Sequence, residues 1–278
     1  MNPDAWANDS KAFTGRARRQ WPALYRALRG ASAHIDVIEP QPGLPDLVFT
    51  ANAAVVLDGT ALLARFRHPE RQREEPVFAA AFRVLKARGS INAIAEMPRH
   101  VPFEGAGDCI FDPRRGLFWM GSGPRSHPAA RDVVKDVFGA HCITLPLADA
   151  CFYHLDTAFC PLPCGAVIYY PTAFTAAGLA AIHREVEPID RIEIERADAE
   201  RFAANSVCFE RSVVLSGASA VLRRRLEERG CTLVVTPLDA FQRSGGSACC
   251  LTLRLDHRSR SSGASAGLLG RPAAAVSL

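Results

Sequence analysis

No stretch of the chain approaches the roughly 20 uninterrupted apolar residues that a bilayer crossing needs, which excludes a membrane-spanning helix. The opening residues 1–13 are polar and lack the apolar core of a signal peptide, so no secretory signal is expected and a cytoplasmic setting follows. Neither sign of charge dominates. Thirty-three basic against 29 acidic residues leave a net +4, too balanced to argue for a nucleic-acid partner. The densest basic cluster, Arg223-Arg224-Arg225, sits among Leu222, Leu226, Glu227 and Glu228 and reads as the exposed face of a helix. There is no Cys-x-x-Cys pair, and neither Cys160 with Cys164 nor Cys249 with Cys250 has histidines at matching spacing, so no structural zinc site is expected. Nine cysteines make an odd count; without an export signal they read as reduced thiols, not a disulfide framework. Low hydrophobicity with high net charge, the mark of disorder, is absent too. At 48% hydrophobic and 22% charged residues, 278 residues can bury a sizeable core in one large domain or two small ones.

What is present is an alternation of apolar runs and amphipathic stretches. Strands are expected at 34–38, 47–57, 61–66, 109–111, 117–120, 157–161, 166–170, 207–209, 213–215, 232–235 and 248–255. Helices are expected at 17–28, 76–87, 128–137, 173–187, 198–204 and 218–229, with a short one at 238–241. Polar or glycine-bearing clusters recur ahead of the strand pairs: Thr50-Ala51-Asn52-Ala53, Glu104-Gly105-Ala106-Gly107-Asp108, His154-Leu155-Asp156-Thr157, Ala203-Ala204-Asn205-Ser206 and Ser244-Gly245-Gly246-Ser247. They are spaced about 40 to 55 residues apart, within the range of repeat arrays. The rhythm implies an α/β fold of five strand–strand–helix–strand units around an axis, each cluster facing one shared mouth. One domain over 1–256 is expected, followed by a Ser/Gly/Arg-rich flexible tail over 257–278.

Pooled, the clusters hold a thiol (Cys250), an imidazole (His154) and several carboxyl or amide groups: Asn52, Glu104, Asp108, Asp156 and Asn205. A cysteine attacks as thiolate and needs a cationic neighbour or a base, and a histidine titrates near neutrality. Grouped acids point to a positively charged substrate, because unpaired buried carboxylates are costly. Cys109, Cys142, Cys151, Cys160, Cys164, Cys208 and Cys231 are expected in the core; Cys250 stands apart because Gly245-Gly246 just upstream allows close backbone approach.

Four segments, Pro45–Asn52, Phe103–Asp108, His154–Phe159 and Ser244–Leu253, resemble the signature segments of the guanidine-modifying superfamily, which holds the arginine deiminases, amidinotransferases and dimethylarginine dimethylaminohydrolases. The resemblance runs in order from Asn2 to Asp256, and the dimethylarginine dimethylaminohydrolase-like branch is the nearest. It implies a five-bladed α/β propeller, in agreement with the rhythm. It makes Cys250 the nucleophile: the order Cys250-Leu251-Thr252 points there, although counting from the glycine pair points to Cys249. It makes His154 the general acid and base, and Glu104 the acid that contacts the histidine and the guanidinium. Asp46 becomes a substrate-binding aspartate, and Arg71 and Arg125 hold the substrate carboxylate. Asn52, Asp108, Asp156 and Ser244 complete the expected substrate-binding set.

Two departures stand out. Asn52 occupies a position where the aminohydrolases and deiminases carry an aspartate, and its Ala-Asn-Ala setting resembles dihydrolases that remove two ammonias from an arginine-type substrate. Met1-Asn2-Pro3 stands where the family's first strand would already have ended, so the expectation is either that this strand is missing or that the start codon is misassigned. The resemblance implies a cysteine hydrolase acting on arginine or a methylated arginine through a covalent thiouronium intermediate, with no metal and no organic cofactor. Arginine dihydrolysis, amidino transfer and a non-catalytic binding propeller are the alternatives. The implied partner is a small guanidino compound, with no nucleic acid and no membrane; a homodimer is allowed.

Overall fold

A computed structural model describes residues 3–259 and 273–277. The strands are β1 His34–Ile38, β2 Ala54–Leu57, β3 Thr60–Leu63, β4 Ala93–Glu96, β5 Cys109–Asp112, β6 Leu117–Ser122, β7 His141–Pro146, β8 Phe159–Pro161, β9 Val167–Tyr169, β10 Arg191–Glu193, β11 Val207–Phe209, β12 Ser212–Leu215, β13 Thr232–Val235, β14 Thr252–Arg254 and β15 Ala273–Ser277. Among the described residues they form five three-stranded sheets: β2-β3-β4, β5-β6-β7, β8-β9-β10, β11-β12-β13 and β14-β15-β1. In each sheet the first pair is antiparallel and the second parallel. A parallel neighbour needs a crossover, and a helix supplies it in four sheets: Glu75–Ala87, Ala130–Phe138, Ala176–Glu185 and Ala220–Glu227.

Local chemistry explains these elements. The β2–β3 hairpin turns at Asp58-Gly59, both at positive φ (52° and 76°), the geometry that a two-residue loop needs to match strand twist. Thr175 and Ser219 cap the helices that follow them, each hydroxyl accepting the N–H three residues on. Helix Glu75–Ala87 buries Phe78, Phe82 and Leu85, three or four residues apart, against Ala61 and Leu63 of β3. The first strands of all five sheets, β2, β5, β8, β11 and β14, line one cavity of about 300 Å³.

The structure corrects four expectations. The run 47–57 is not one strand: Pro45–Val48 and Thr50–Ala53 are 3₁₀ turns, and only Ala54–Leu57 is extended. Likewise 248–255 shrinks to β14, because the segment before it turns. Strands β4, β7 and β10 had no counterpart in the sequence reading. They are the last strands of their sheets, and β4, half-buried, shows little apolar contrast.

The tail is the fourth. Residues 260–272 and 278 lie outside the described residues, but β15 pairs parallel with β1 over His34–Ile38 and antiparallel with β14 over Thr252–Arg254. A strand with ladder partners on both sides is not a loose end. It holds the middle place in its sheet, ahead of helix Pro3–Gly30 and β1 in the spatial order, where the other sheets place their second strand.

Candidate active site

Each first strand is preceded by a tight turn, and the turns carry the clusters singled out in the sequence. Thr50–Ala53 leads into β2, Gly105–Asp108 into β5, Leu155–Thr157 into β8, a turn ending at Asn205 into β11, and a turn through Cys250 into β14. Hydrogen bonds join the five in a closed cycle. Asn52 Nδ2 donates to Glu104 O (3.3 Å), Leu155 N to Asp108 Oδ1 (3.1 Å) and Asn205 Nδ2 to Asp156 O (3.1 Å). Cys250 N then donates to Asn205 Oδ1 (3.1 Å), and Ala51 N to Cys250 O (3.1 Å). Loops as far apart in sequence as Asn52 and Cys250 are thus held at one mouth.

Two glycines permit this closeness. A Cβ on Gly107 would lie 2.2 Å from Asn52 Nδ2 and 3.5 Å from the His154 ring, and one on Gly246 would lie 2.5 Å from the Phe49 ring and 2.8 Å from Cys250 Cβ.

Cys250 is 2% exposed. Its Sγ lies 3.1 Å from Asp156 Oδ2 and accepts from Asn205 Nδ2 at 3.0 Å. Burial, reinforced by the Asp156 charge, pushes its thiol well above the ordinary cysteine value, so the resting group is a thiol. Asp156 is itself buried, and its Oδ1 has no hydrogen-bond partner. Such an atom is an open acceptor for a cationic donor.

His154 Nε2 meets Glu104 Oε2 at 2.7 Å, and Arg125 Nη1 donates to the same oxygen at 3.1 Å. Burial works to raise the Glu104 pKa, but the His154 hydrogen bond and the charges of His154, Arg125 and Arg71 outweigh it and hold it at about 2. Burial works to lower the His154 pKa; the Asp108 charge and the Glu104 hydrogen bond outweigh it and leave it raised. The shift favours the protonated imidazole. Asp108, fully buried, is pushed up to about 6 by desolvation, against the Ser126 hydroxyl (2.6 Å) and the Leu155 N–H that its carboxylate accepts.

These shifts predict a stability profile. A depressed carboxyl pKa contributes stability that is complete above its unfolded value, 4.5, and is lost as pH falls toward about 2. For Glu104 that contribution is on the order of 3 kcal/mol. Urea unfolding of the native chain and of Glu104→Gln across pH 3 to 7 is expected to show a shallower acid slope for the variant; parallel profiles would refute the assignment.

The remaining predicted residues fall around this centre. Asn52 Oδ1 accepts from Arg71 Nη1 at 2.9 Å. Arg71 is 6% exposed, bonds Glu74 through Nε and Nη2, and gives a further Nη2 donor to Asp46 O at 3.2 Å. Four of its five N–H donors are thereby used. Asp46 is half-buried in its 3₁₀ turn and close enough for its charge to act on Arg71 and Glu74. Arg125 stacks its guanidinium 4.6 Å over the Tyr153 ring. Ser244 lies half-buried in the turn after helix Asp239–Gln242, its N–H on Phe241 O, next to the glycine pair and apart from the cluster's side-chain contacts.

Some functional neighbours escaped selection. Asn205 has no role assignable from its sequence neighbours alone; it stands two residues ahead of β11, as Asn52 stands two ahead of β2, and that shared offset is the signal that marks it. Glu74, three residues after Arg71, clamps that guanidinium. Tyr153 packs its ring 4.9 Å from His154 and donates its hydroxyl to Gly245 O at 2.9 Å, tying the histidine segment to the cysteine turn.

Comparison with known proteins first defines a class: the chain falls among the guanidine-modifying enzymes that share this fold. More particularly, a family model described as "N,N dimethylarginine dimethylhydrolase, eukaryotic" matches residues 3–256, and the chain belongs to that family. It is 42% identical over 255 residues to the bifunctional arginine dihydrolase/ornithine cyclodeaminase AgrE of Nostoc sp., covering 92% of this chain and 35% of that one. The chain thus spans about a third of that relative's length. It is 34% identical over 239 residues to the N(G),N(G)-dimethylarginine dimethylaminohydrolase of Mycobacterium tuberculosis, covering 86% of this chain and 76% of that one. Solved structures of the N-terminal domain of ArgZ, an arginine dihydrolase of cyanobacteria, superpose with a TM-score of 0.83 at 39% identity, covering 88% of each chain. One is a cysteine-to-serine variant bound to substrate, and another an asparagine-to-serine variant covalently bound to a reaction intermediate.

Proposed function

We propose that the protein is an arginine dihydrolase that converts arginine and two waters to ornithine, two ammonias and carbon dioxide, with Cys250 as nucleophile. The observation that carries the reading is Asn52 in the ring around Cys250, His154 and Glu104, an amide where the resemblance expects a carboxylate. An amide lacks the charge that would favour a guanidinium over a neutral ureido group, so the first product is not discriminated against. The dihydrolase relatives at 42% and 40% identity support it.

The five sheets are taken as blades of a five-bladed propeller, supported by the cyclic hydrogen bonding of the turns and by the cavity that every first strand lines. The catalytic unit is assigned to residues 1–256 with β15 completing one blade, and the thiol chemistry to a reducing, cytoplasmic setting.

In the mechanism, the substrate guanidinium enters against Asp156 Oδ1, Glu104 and Asn52 while Arg125 faces the substrate carboxylate. Its positive charge opposes the desolvation that keeps Cys250 protonated, so the thiol gives up its proton to solvent as substrate binds and the thiolate forms. The sulfur adds to the guanidinium carbon, and His154 gives a proton to the departing ammonia. His154 then takes a proton from water, which adds to the thiouronium carbon; the C–S bond breaks and the ureido product is released with the thiolate restored. A second round on the ureido carbon expels the second ammonia, and hydrolysis of the thiocarbamate gives a carbamate that loses carbon dioxide.

A second reading, a single hydrolysis of methylated arginine to citrulline and an amine, is favoured by the family description and by the mycobacterial relative. Mass detection of products from arginine and from methylarginines separates the two. With arginine, ornithine and two ammonias per turnover are expected. Asn52→Asp is expected to raise the citrulline-to-ornithine ratio at least tenfold, and an unchanged ratio would remove the main support for dihydrolysis.

A further inference from the structure

We propose that Cys160 and Cys208 form a binding site for a soft, thiophilic cation inside the cavity lined by the five first strands. Cys160 lies on β8 and Cys208 on β11, neighbours in space that share no backbone ladder. Their sulfurs stand 3.9 Å apart, and both residues line the cavity. Two sulfurs held at about 2.3 Å by a tetrahedral ion are about 3.8 Å apart, so the pair already stands at ligand spacing. A disulfide would need the sulfurs to close to about 2.05 Å.

The surroundings suit a thiolate complex. Thiolates select soft cations such as copper(I), zinc and their heavier relatives. Cys249 lines the same cavity as a third sulfur, and the Ser206 carbonyl lies 3.7 Å from Cys160 Sγ. The Arg254 guanidinium, also on the wall, donates to the Cys208 carbonyl and is paired with the Asp256 carboxylate. Among the described residues no group of three or more His, Cys, Asp and Glu is gathered to hold a metal, so the pair is the anchor and water completes the shell. Binding exchanges two S–H protons for one divalent cation and transfers no electrons.

The location gives the site leverage. Asp156 and Asn205, the two groups on Cys250 Sγ, stand just ahead of β8 and β11, so a cation held by Cys160 and Cys208 would bridge the two strands that follow the turns around the nucleophile.

The test uses cadmium as probe and the full chain carrying Cys250→Ser, which removes the proposed nucleophile as a competing ligand. One cadmium per chain is expected, with a thiolate-to-cadmium charge-transfer band in the ultraviolet and two protons released. Cys208→Ser and Cys160→Ala are each expected to weaken binding at least tenfold. Thermal unfolding checks that each variant folds, and either one alone reports on the pair. Undiminished binding in a folded variant, loss confined to Cys249→Ser, or no binding by the parent would overturn the proposal.

Discussion

Cys250→Ser is expected to lower arginine turnover by at least ~10³-fold, while Cys249→Ser leaves most of it. The two sulfurs are adjacent in sequence but differently placed. Cys250 receives the Asn205 amide at 3.0 Å, lies 3.1 Å from Asp156, and has its turn clamped by two N–H groups, its own and that of Ser247, on Asn205 Oδ1. Cys249 is less buried and lines the cavity among Cys160 and Cys208. Burial and the Asp156 charge push its thiol up as well, so it has no advantage in acidity to set against the better placement of Cys250. Steady-state ammonia release from both variants decides the matter, and a dead Cys249→Ser beside an active Cys250→Ser would transfer the nucleophile's role.

His154→Gln should cost ~10² to 10⁴ in kcat with little change in KM, the range of general acid–base catalysis. The reasoning is positional as well as acidic. Glu104 fixes the ring through Nε2, Tyr153 packs against it, and the Asp108 charge and the Glu104 hydrogen bond, outweighing burial, raise its pKa and so favour the protonated donor. Native kcat should fall on the alkaline side as the imidazolium loses its proton, a limb that His154→Gln lacks. A substrate analogue with an S-alkyl leaving group, which departs without protonation, should lose much less rate in the variant. Equal losses for both substrates would mean that His154 only holds the pocket together.

Much of the site could be read in one dimension. His154, Glu104, Asp108, Asn52 and Asp156 all lie in short polar segments set against apolar strands, and such residues stand out because burying them without purpose is costly. Arg71 was legible as a candidate but not as what it is in the fold, a guanidinium with four of five donors engaged by Glu74, Asn52 and Asp46. Asn205 escaped because an isolated asparagine ahead of a strand usually makes a turn, and its second task, holding the cysteine loop, needs a partner 45 residues away.

Composition and periodicity determined an α/β chain of repeating strand–strand–helix units, the hairpins, the core helices and the chemical inventory, because each depends on contacts a few residues apart. Tertiary structure decided the rest. It set which cysteine faces Asp156, the middle-strand role of Ala273–Ser277, and the cycle that brings Asn52 beside Glu104 and Cys250 beside Ala51. The physical reason is that a strand's partners and a turn's neighbours are supplied by distant segments, whose pairing is settled by ladder geometry and close packing that no local pattern encodes.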